Sequence, residues 1–391
     1  MVRLSKFVSL WLGLCLCLAL SMSAGAATLS QNGKGDLLLY PVYIAGDGVK
    51  TTFHVVNTDT NSSVVAKVVL RSGKYSQEVL DFLIYLSPND KFSATISYED
   101  GKYVLTSTDD SFCASDGTCA SELNPFKFTL KEPCEGLTND YAGLGYIEVI
   151  SAGSVDLPKE SDGTVNKSDI VKEYWNNWQN FKTGGDIVDS LTGYAEVVLP
   201  GPDYSGYQAV AIANYGNNNQ LTVSSETKLG DGAITALGDI NQSGSLENIL
   251  AKNNLVVPVS KEAVAIPVVT FPTKLSSCPY LVNGQSTVDN LGPFFAGGDD
   301  NTTYTISYYD MSEHSTIEQN PIVSPVPKEA PNTLPDELNL LIVDYPFTNS
   351  GGWFKINFKK DVPGAPLVGV VAEFTENGFS FIPYAYDVPQ P

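Results

Sequence analysis

Short apolar runs, each closed by a cluster of Asp, Asn, Gly, Ser or Pro, recur through most of this 391-residue chain and leave room for little besides a β-sheet protein. Residues 37–44 form an uninterrupted apolar segment of the kind buried on both faces of a sheet, and Gly46-Asp47-Gly48 supplies its turn. Residues 51–57, the polar tip 59–63 and residues 64–71 then read as strand, turn and strand, the pattern of a hairpin. Further strands are expected at 84–86, 92–97 and 103–105, separated by Ser87-Pro88-Asn89-Asp90 and Asp100-Gly101. Strands this short at this spacing predict an all-β fold built from immunoglobulin-like β-sandwiches.

One helical insertion interrupts the pattern. Ser168 can cap it, Asp169 suits its first turn, and Ile170, Tyr174, Trp178 and Phe181 recur at helical spacing up to Gly184-Gly185. This predicts a helix near 168–183 whose aromatic stripe packs on a sheet. Around it, residues 145–150 and 193–198 echo each other (GYIEVI and GYAEVV) and read as two equivalent strands. Strands resume at 207–213, 255–259, 263–271, 304–309, 338–343, 353–358 and 368–374. The stretch 320–335 carries Pro321, Pro325, Pro327, Pro331 and Pro335, a spacing that favours an extended crossover over a ladder strand. The organisation expected is a leader at 1–27, an immunoglobulin-like unit at 28–135 and a second β-rich unit at 136–391.

The leader sets the compartment. Arg3 and Lys6 precede an uncharged apolar run to Leu20, and Ser23-Ala24-Gly25-Ala26-Ala27 supplies small residues for cleavage, the layout of a secretory signal. The apolar run is short for a membrane span, and no later run is longer, so no transmembrane segment is expected. Loss of Arg3 and Lys6 would take the formal charge from -21 to -23. So acidic a chain is ill-suited to nucleic acid, where Lys and Arg contacts to phosphate dominate. Export permits disulfides. Cys15 and Cys17 leave with the signal, and Cys113, Cys119, Cys134 and Cys278 remain, which allow three pairings. The favoured one joins Cys113 to Cys119 around a Ser115-Asp116-Gly117 turn and Cys134 to Cys278 across a long loop. Zinc is the rival reading, but no C-x-x-C pair is present and His54 and His314 lie far off.

Catalytic motifs are absent from the sequence: neither histidine sits in a nucleophile motif, and no metalloprotease, phosphate-loop or dinucleotide fingerprint occurs. His54, flanked by Phe53 and Val55, is expected to face solvent beside Thr52. A glycosidase needs only two carboxylates, and among 44 acids Glu148 and Glu196 stand out because each interrupts an apolar strand. Alternation on a solvated sheet face explains both as well. Calcium is the one cofactor for which a pattern exists. Asp239, Asn241 and Ser243 occupy positions 1, 3 and 5 of an EF-hand-like loop with Gly244 at position 6, but Leu250 stands where the bidentate acid belongs. The competing reading is a turn leading into a short capped helix at 245–252. Asn61, Asn241 and Asn301 lie in N-x-S/T sequons with an Asp two residues earlier, as glycan attachment candidates, and Asn166 lies in a fourth sequon.

The segments Gly35-Asp36-Leu37-Leu38-Leu39-Tyr40-Pro41, Phe53-His54-Val55-Val56-Asn57-Thr58 and Ala66-Lys67-Val68 form one group with residues 80–90, LDFLIYLSPND. Together they resemble a poorly characterised family of exported bacterial β-rich envelope proteins, the likeness running over residues 35–110. It implies an extracellular role and an immunoglobulin-like N-terminal unit, and it carries over no catalytic residue.

These readings point to a non-enzymatic, secreted cell-surface or filament subunit acting by self-association, its partners being other copies or other envelope components. The segment bearing Leu37, Leu39, Tyr40, Val42 and Ile44 is the strand expected to pair with a neighbour's sheet edge, although it serves equally as the first strand of its own domain. The alternative is an extracellular module for carbohydrate or another ligand, with Trp175, Trp178 and Trp353 as stacking surfaces. A carboxylate glycosidase is the third reading.

Overall fold

The computed structural model describes residues 27–74, 78–131, 139–177, 180–181, 189–215, 246–274, 280–282, 285–287, 302–310, 322–324, 333–334, 336–343, 351–358 and 364–388. Within them the chain is all-β with few helices, and the strands form six sheets of two to six strands.

Twelve strands make the first pair of sheets: β1 (Thr28–Leu29), β2 (Leu37–Ile44), β3 (Lys50–Asn57), β4 (Ser63–Ser72), β5 (Glu78–Leu86), β6 (Lys91–Glu99), β7 (Lys102–Ser107), β8 (Phe126–Thr129), β9 (Leu144–Val155), β10 (Leu191–Val198), β11 (Tyr204–Gln208) and β12 (Val210–Ala213). Sheet I runs β1-β12-β2-β9-β4-β5 and sheet II runs β11-β10-β3-β6-β7-β8. All of these pairings are antiparallel. Leu38, Tyr40, Val42, Ala66, Val68 and Val149 of sheet I meet Phe53, Val55, Phe92, Ile96 and Ala195 of sheet II in one core.

Composition follows position. In β10 the outward residues Thr192, Tyr194, Glu196 and Val198 alternate with buried ones, as a sheet with one wet face requires. By contrast β2 (LLLYPVYI) and β4 (SVVAKVVLRS) are buried almost throughout, because sheet I is covered on both faces. Part of its outer face lies under the helix α1 (Lys167–Asn177), whose Ile170, Val171 and Tyr174 join Val65, Tyr85 and Ala152. The cap is Asn166, whose Oδ1 accepts the Ser168 amide at 3.0 Å, and not Ser168 itself. The first residue of the helix is tethered as well: Lys167 Nζ contacts Asp90 and donates to Ser111 Oγ at 2.9 Å.

The second part contains α2 (Leu246–Leu250), β13 (Ala251–Lys252), β14 (Asn254–Val259), β15 (Val264–Thr270), β16 (Tyr280–Val282), β17 (Gln285–Thr287), β18 (Thr302–Asp310), β19 (Ile322–Ser324), β20 (Thr333–Leu334), β21 (Leu338–Ile342), β22 (Gly352–Phe358), β23 (Ala365–Pro366), β24 (Val368–Thr375), β25 (Gly378–Ile382) and β26 (Ala385–Asp387). Sheet III is β20-β18-β22-β14-β26 and sheet IV is β19-β21-β15-β24-β25, with β13-β23 and β16-β17 as two-stranded ribbons. Leu255, Val257, Ile306 and Phe354 of sheet III pack on Val269, Leu341 and Val371 of sheet IV. Sheet IV also enters the first core through Val268, Leu338 and Val370. Hydrogen bonds that tie the two halves include Thr270 Oγ1 to the Pro41 carbonyl at 2.6 Å, the Phe381 amide to Ser205 Oγ at 2.8 Å and the Leu338 amide to the Gly73 carbonyl at 2.9 Å.

Three expectations are corrected. A boundary at 135 would cut both six-stranded sheets, since β9 to β12 complete them. The immunoglobulin-like sandwich gives way to a set of small sheets, because pairing runs between strands far apart in sequence, as in β2 with β9 and β12. The Pro-rich stretch does contribute strands: β19 and β20 each add to a sheet edge.

Buried tyrosines brace the first core. Tyr40 donates to the His54 carbonyl at 2.7 Å, Tyr43 to the Ala142 carbonyl at 3.0 Å, and Tyr207 to the Val42 carbonyl. The echoed glycines make room for two of them. A Cβ on Gly193 would stand 1.9 Å from the Tyr40 hydroxyl, and one on Gly145 would stand 2.7 Å from the Tyr43 ring. Tyr40→Phe is therefore expected to cost about 1–2 kcal/mol, one buried hydrogen bond and an orphaned carbonyl. Gly193→Ala should cost more, since the His54 carbonyl also lies 2.6 Å from the added carbon. Urea denaturation of both variants measures the order.

Candidate functional site

The sequence-derived candidates do not converge. Leu37, Leu39, Tyr40, Val42 and Ile44 lie in β2, which pairs with β12 on one side and β9 on the other. The β12 pairing covers Leu37–Leu39, and the rest of the strand is buried nearly throughout, so little of it faces a neighbour. Cys113 and Cys119 form the expected disulfide around a turn hydrogen-bonded from Gly117 N–H to the Ala114 carbonyl at 2.9 Å. Cys134, Cys278, Asp239, Asn241, Ser243, Asn301, Trp178 and His314 lie outside the described residues. Asn61 is exposed at the β3–β4 tip, where Asp59 Oδ1 accepts the Asn61 amide at 2.7 Å. Among the described residues no group of three or more His, Cys, Asp or Glu side chains gathers as metal ligands would.

The two marked carboxylates sit in different sheets. Glu148 in β9 is fully buried and ion-paired with Arg71 Nε at 2.9 Å. Sheet I is covered on both faces, so alternation places Glu148 inside, not on a wet face. Glu196 lies on the outward, half-buried face of β10 opposite Thr52. His54 is not solvent-facing: it is only 8% exposed, stacked on Tyr194 at 4.3 Å, with Nδ1 2.8 Å from Ser93 Oγ. Burial lowers its pKa, nearby Lys91 lowers it further, and Glu196 raises it. Trp175 packs against the sheet and donates Nε1–H to the Tyr85 hydroxyl at 2.9 Å, as the packing reading of the aromatic stripe requires. Trp353 stacks on Tyr309 at 3.8 Å across β18 and β22.

A different place has the character of a site. Where the β1–β12 edge of sheet I meets the second half, a partly open pocket of about 200 Å³ is lined mainly by Leu29, Val210, Leu250, Leu367 and Val368. The sequence builds each wall locally. Leu29 and Val210 come from paired edge strands, and Gly33 (φ 73°) turns the chain at the rim. Short helix α2 delivers Leu250, and the Leu367 amide donates to the Leu250 carbonyl at 3.2 Å, which holds β13 and β23 together below it. Tyr384 and Tyr386 close the opposite side, their rings 6.1 Å apart.

One charge enters this apolar setting. Lys252, at the end of β13, is 4% exposed, and its Nζ sits 4.2 Å above the Tyr386 ring. Burial pulls its pKa down to about 8. Among the described residues its ammonium meets a ring and no carboxylate: the neighbouring Asp387 is engaged by Asn254 at 2.7 Å and Lys355 at 3.4 Å. A desolvated cation against an aromatic face gains only part of what an anion returns. The arrangement offers an apolar cradle with a single positive pole, suited to binding. Sequence reasoning passed over Lys252, Tyr384 and Tyr386 because the pocket joins residues from 29 to 386 and no local motif marks them.

Glu148 is structural on this geometry. Glu148→Gln should cost about 3–5 kcal/mol, because it leaves buried Arg71 facing a neutral amide. Glu196→Gln should stay within about 0.5 kcal/mol. Chemical denaturation of both, at matched pH, checks the contrast. Comparison of the chain with known family models, with curated proteins and with solved structures finds no match to any of them.

Proposed function

We propose that this chain is an exported, non-catalytic binding module that holds a small ligand in the pocket between its two halves. The observation that carries this reading is the buried Lys252 ammonium, poised in an apolar cavity with no carboxylate of the described chain beside it. Export is supported by the leader-like residues 1–27 and by the Cys113–Cys119 bond, which suits an oxidising compartment. The formal charge of -21 supports a soluble exterior over a nucleic-acid partner. The facing sheets I and II support a sandwich-type scaffold, on which a site built by rigid strands and a short helix is held in shape without a ligand.

Self-association through residues 37–44 has less support, since β2 is buried almost throughout and pairs with β9 and, over Leu37–Leu39, with β12. A further structural fact fits a module outside the bilayer: among the described residues no helix is long and apolar enough to cross a membrane. The test is calorimetric titration of the purified full chain with octanol, octanoate and octylammonium. At least one should bind saturably at one site, and Val210→Trp, which fills the cavity, should abolish that binding while leaving the melting temperature within a few degrees. Binding that survives Val210→Trp would place the site elsewhere.

A further inference from the structure

We infer that the pocket between the two halves selects a small amphiphilic carboxylate, its apolar tail lying against Leu29, Val210, Leu250 and Val368 and its carboxylate on the Lys252 ammonium. This deepens the binding reading above and rests on it.

Charge decides the head group. Lys252 is almost wholly inside the protein, and the Tyr386 ring beneath it directs one side of the ammonium. Its other side belongs to the cavity, where among the described residues no carboxylate waits. An anion arriving there needs to displace no internal ion pair, and it meets the cation in apolar surroundings, where a charge-assisted hydrogen bond is stronger than in water. A cationic ligand would meet repulsion from Lys252, and a neutral alcohol would leave it as it is. The depressed pKa of Lys252, about 8, agrees with a cation kept short of partners by burial.

The valence of the head group follows from the donor set. One lysine supplies a single positive charge, and among the described residues no guanidinium lines the cavity to grip a dianion through two parallel hydrogen bonds. A carboxylate matches it and a phosphate monoester exceeds it. The pocket, about 200 Å³ and partly open, has room for one short alkyl chain. Leu and Val make up much of the cavity wall, so the tail it favours is aliphatic, with Ser30, Tyr384 and Tyr386 adding hydroxyls among the described lining residues.

The experiment compares octanoate, octanol, octylammonium and octyl phosphate by calorimetry on the full chain and on Lys252→Met, which keeps an unbranched apolar side chain and removes the charge. The expected result is octanoate binding tenfold or more tighter than the other three. In Lys252→Met that advantage should disappear while octanol affinity stays within twofold. Equal affinity of the wild type for octanoate and octanol would overturn the inference and leave the pocket reading standing. So would tighter binding of octyl phosphate, or an octanoate advantage that persists in Lys252→Met. If none of the four binds the wild type, both readings fall together. The wild-type protein also gives an answer that depends on no variant. Octanoate should move the Lys252 ε-methylene carbon resonance in saturable fashion, at the same midpoint as the calorimetric curve, and octanol should not. An unmoved resonance at saturating octanoate overturns the inference even if Lys252→Met fails to fold.

Discussion

A phenol hydroxyl sealed in an apolar core must find an acceptor, and the placement of Tyr40 turns that requirement into the central tie of the molecule. Its ring lies fully buried between sheets I and II, 5.9 Å from the Phe53 ring, and its hydroxyl reaches the His54 carbonyl across the core. The bond forms only because Gly193 has no side chain at the crossing point. One residue on β2 thereby holds β3 and β10 at the distance of a ring plus a hydrogen bond. Burial keeps the hydroxyl protonated far above its ordinary range, so it remains a donor at any pH the fold experiences.

The same strand binds the second half of the chain. The register of β2 against β9 shifts between Tyr40 and Tyr43, and Pro41 occupies the irregularity, where no ladder N–H is needed. Its carbonyl is left to accept from Thr270 of β15, while the carbonyl of Val42 accepts from Tyr207. β2 thus bonds to sheet II through the Tyr40 hydroxyl and the Val42 carbonyl, and to sheet IV through the Pro41 carbonyl. That double duty accounts for its near-total burial. It also leaves an apolar strand near the start of the described chain with most of its hydrogen bonds and side chains spent inside.

Much of the local structure could be read from residues alone. The apolar runs became strands, the aromatic spacing after Asn166 became α1, and a five-residue gap rich in turn formers separated two bonded cysteines. What escaped was set by distance along the chain. Residues 207–213 look like one strand, yet the chain crosses from sheet II to sheet I at Ala209, where β11 ends and β12 begins. Nothing local signals that step, because both halves alternate normally. Glu148 reads as an outward residue under period-2 alternation, but that pattern assumes one wet face, and β9 has none. The equivalence of the GYIEVI and GYAEVV strands holds in a sense the alternation does not contain: each glycine admits a tyrosine from β2, and the strands themselves lie in opposite sheets.

The pocket was the least legible feature for the same reason, and its position explains its chemistry. Sheet I ends at β1, whose two residues leave part of β12 unpaired beside it, an edge that folded proteins cover or blunt. Here α2, β23 and β24 cover it with leucines and valines, and Leu37, Leu39, Ile212, Leu246 and Val368 pack into a small core of their own. Two surfaces that each evolved to shield an edge do not interlock as closely as the facing sheets of one core, so space remains at the outer margin. Lys252 lies there as the last residue of β13, whose pairing with β23 sets it on the pocket wall. A methionine at that position would serve the packing without the desolvation cost that pulls the lysine's pKa down. A charge that packing alone does not require, held where it costs stability, is what the proposed anion would answer.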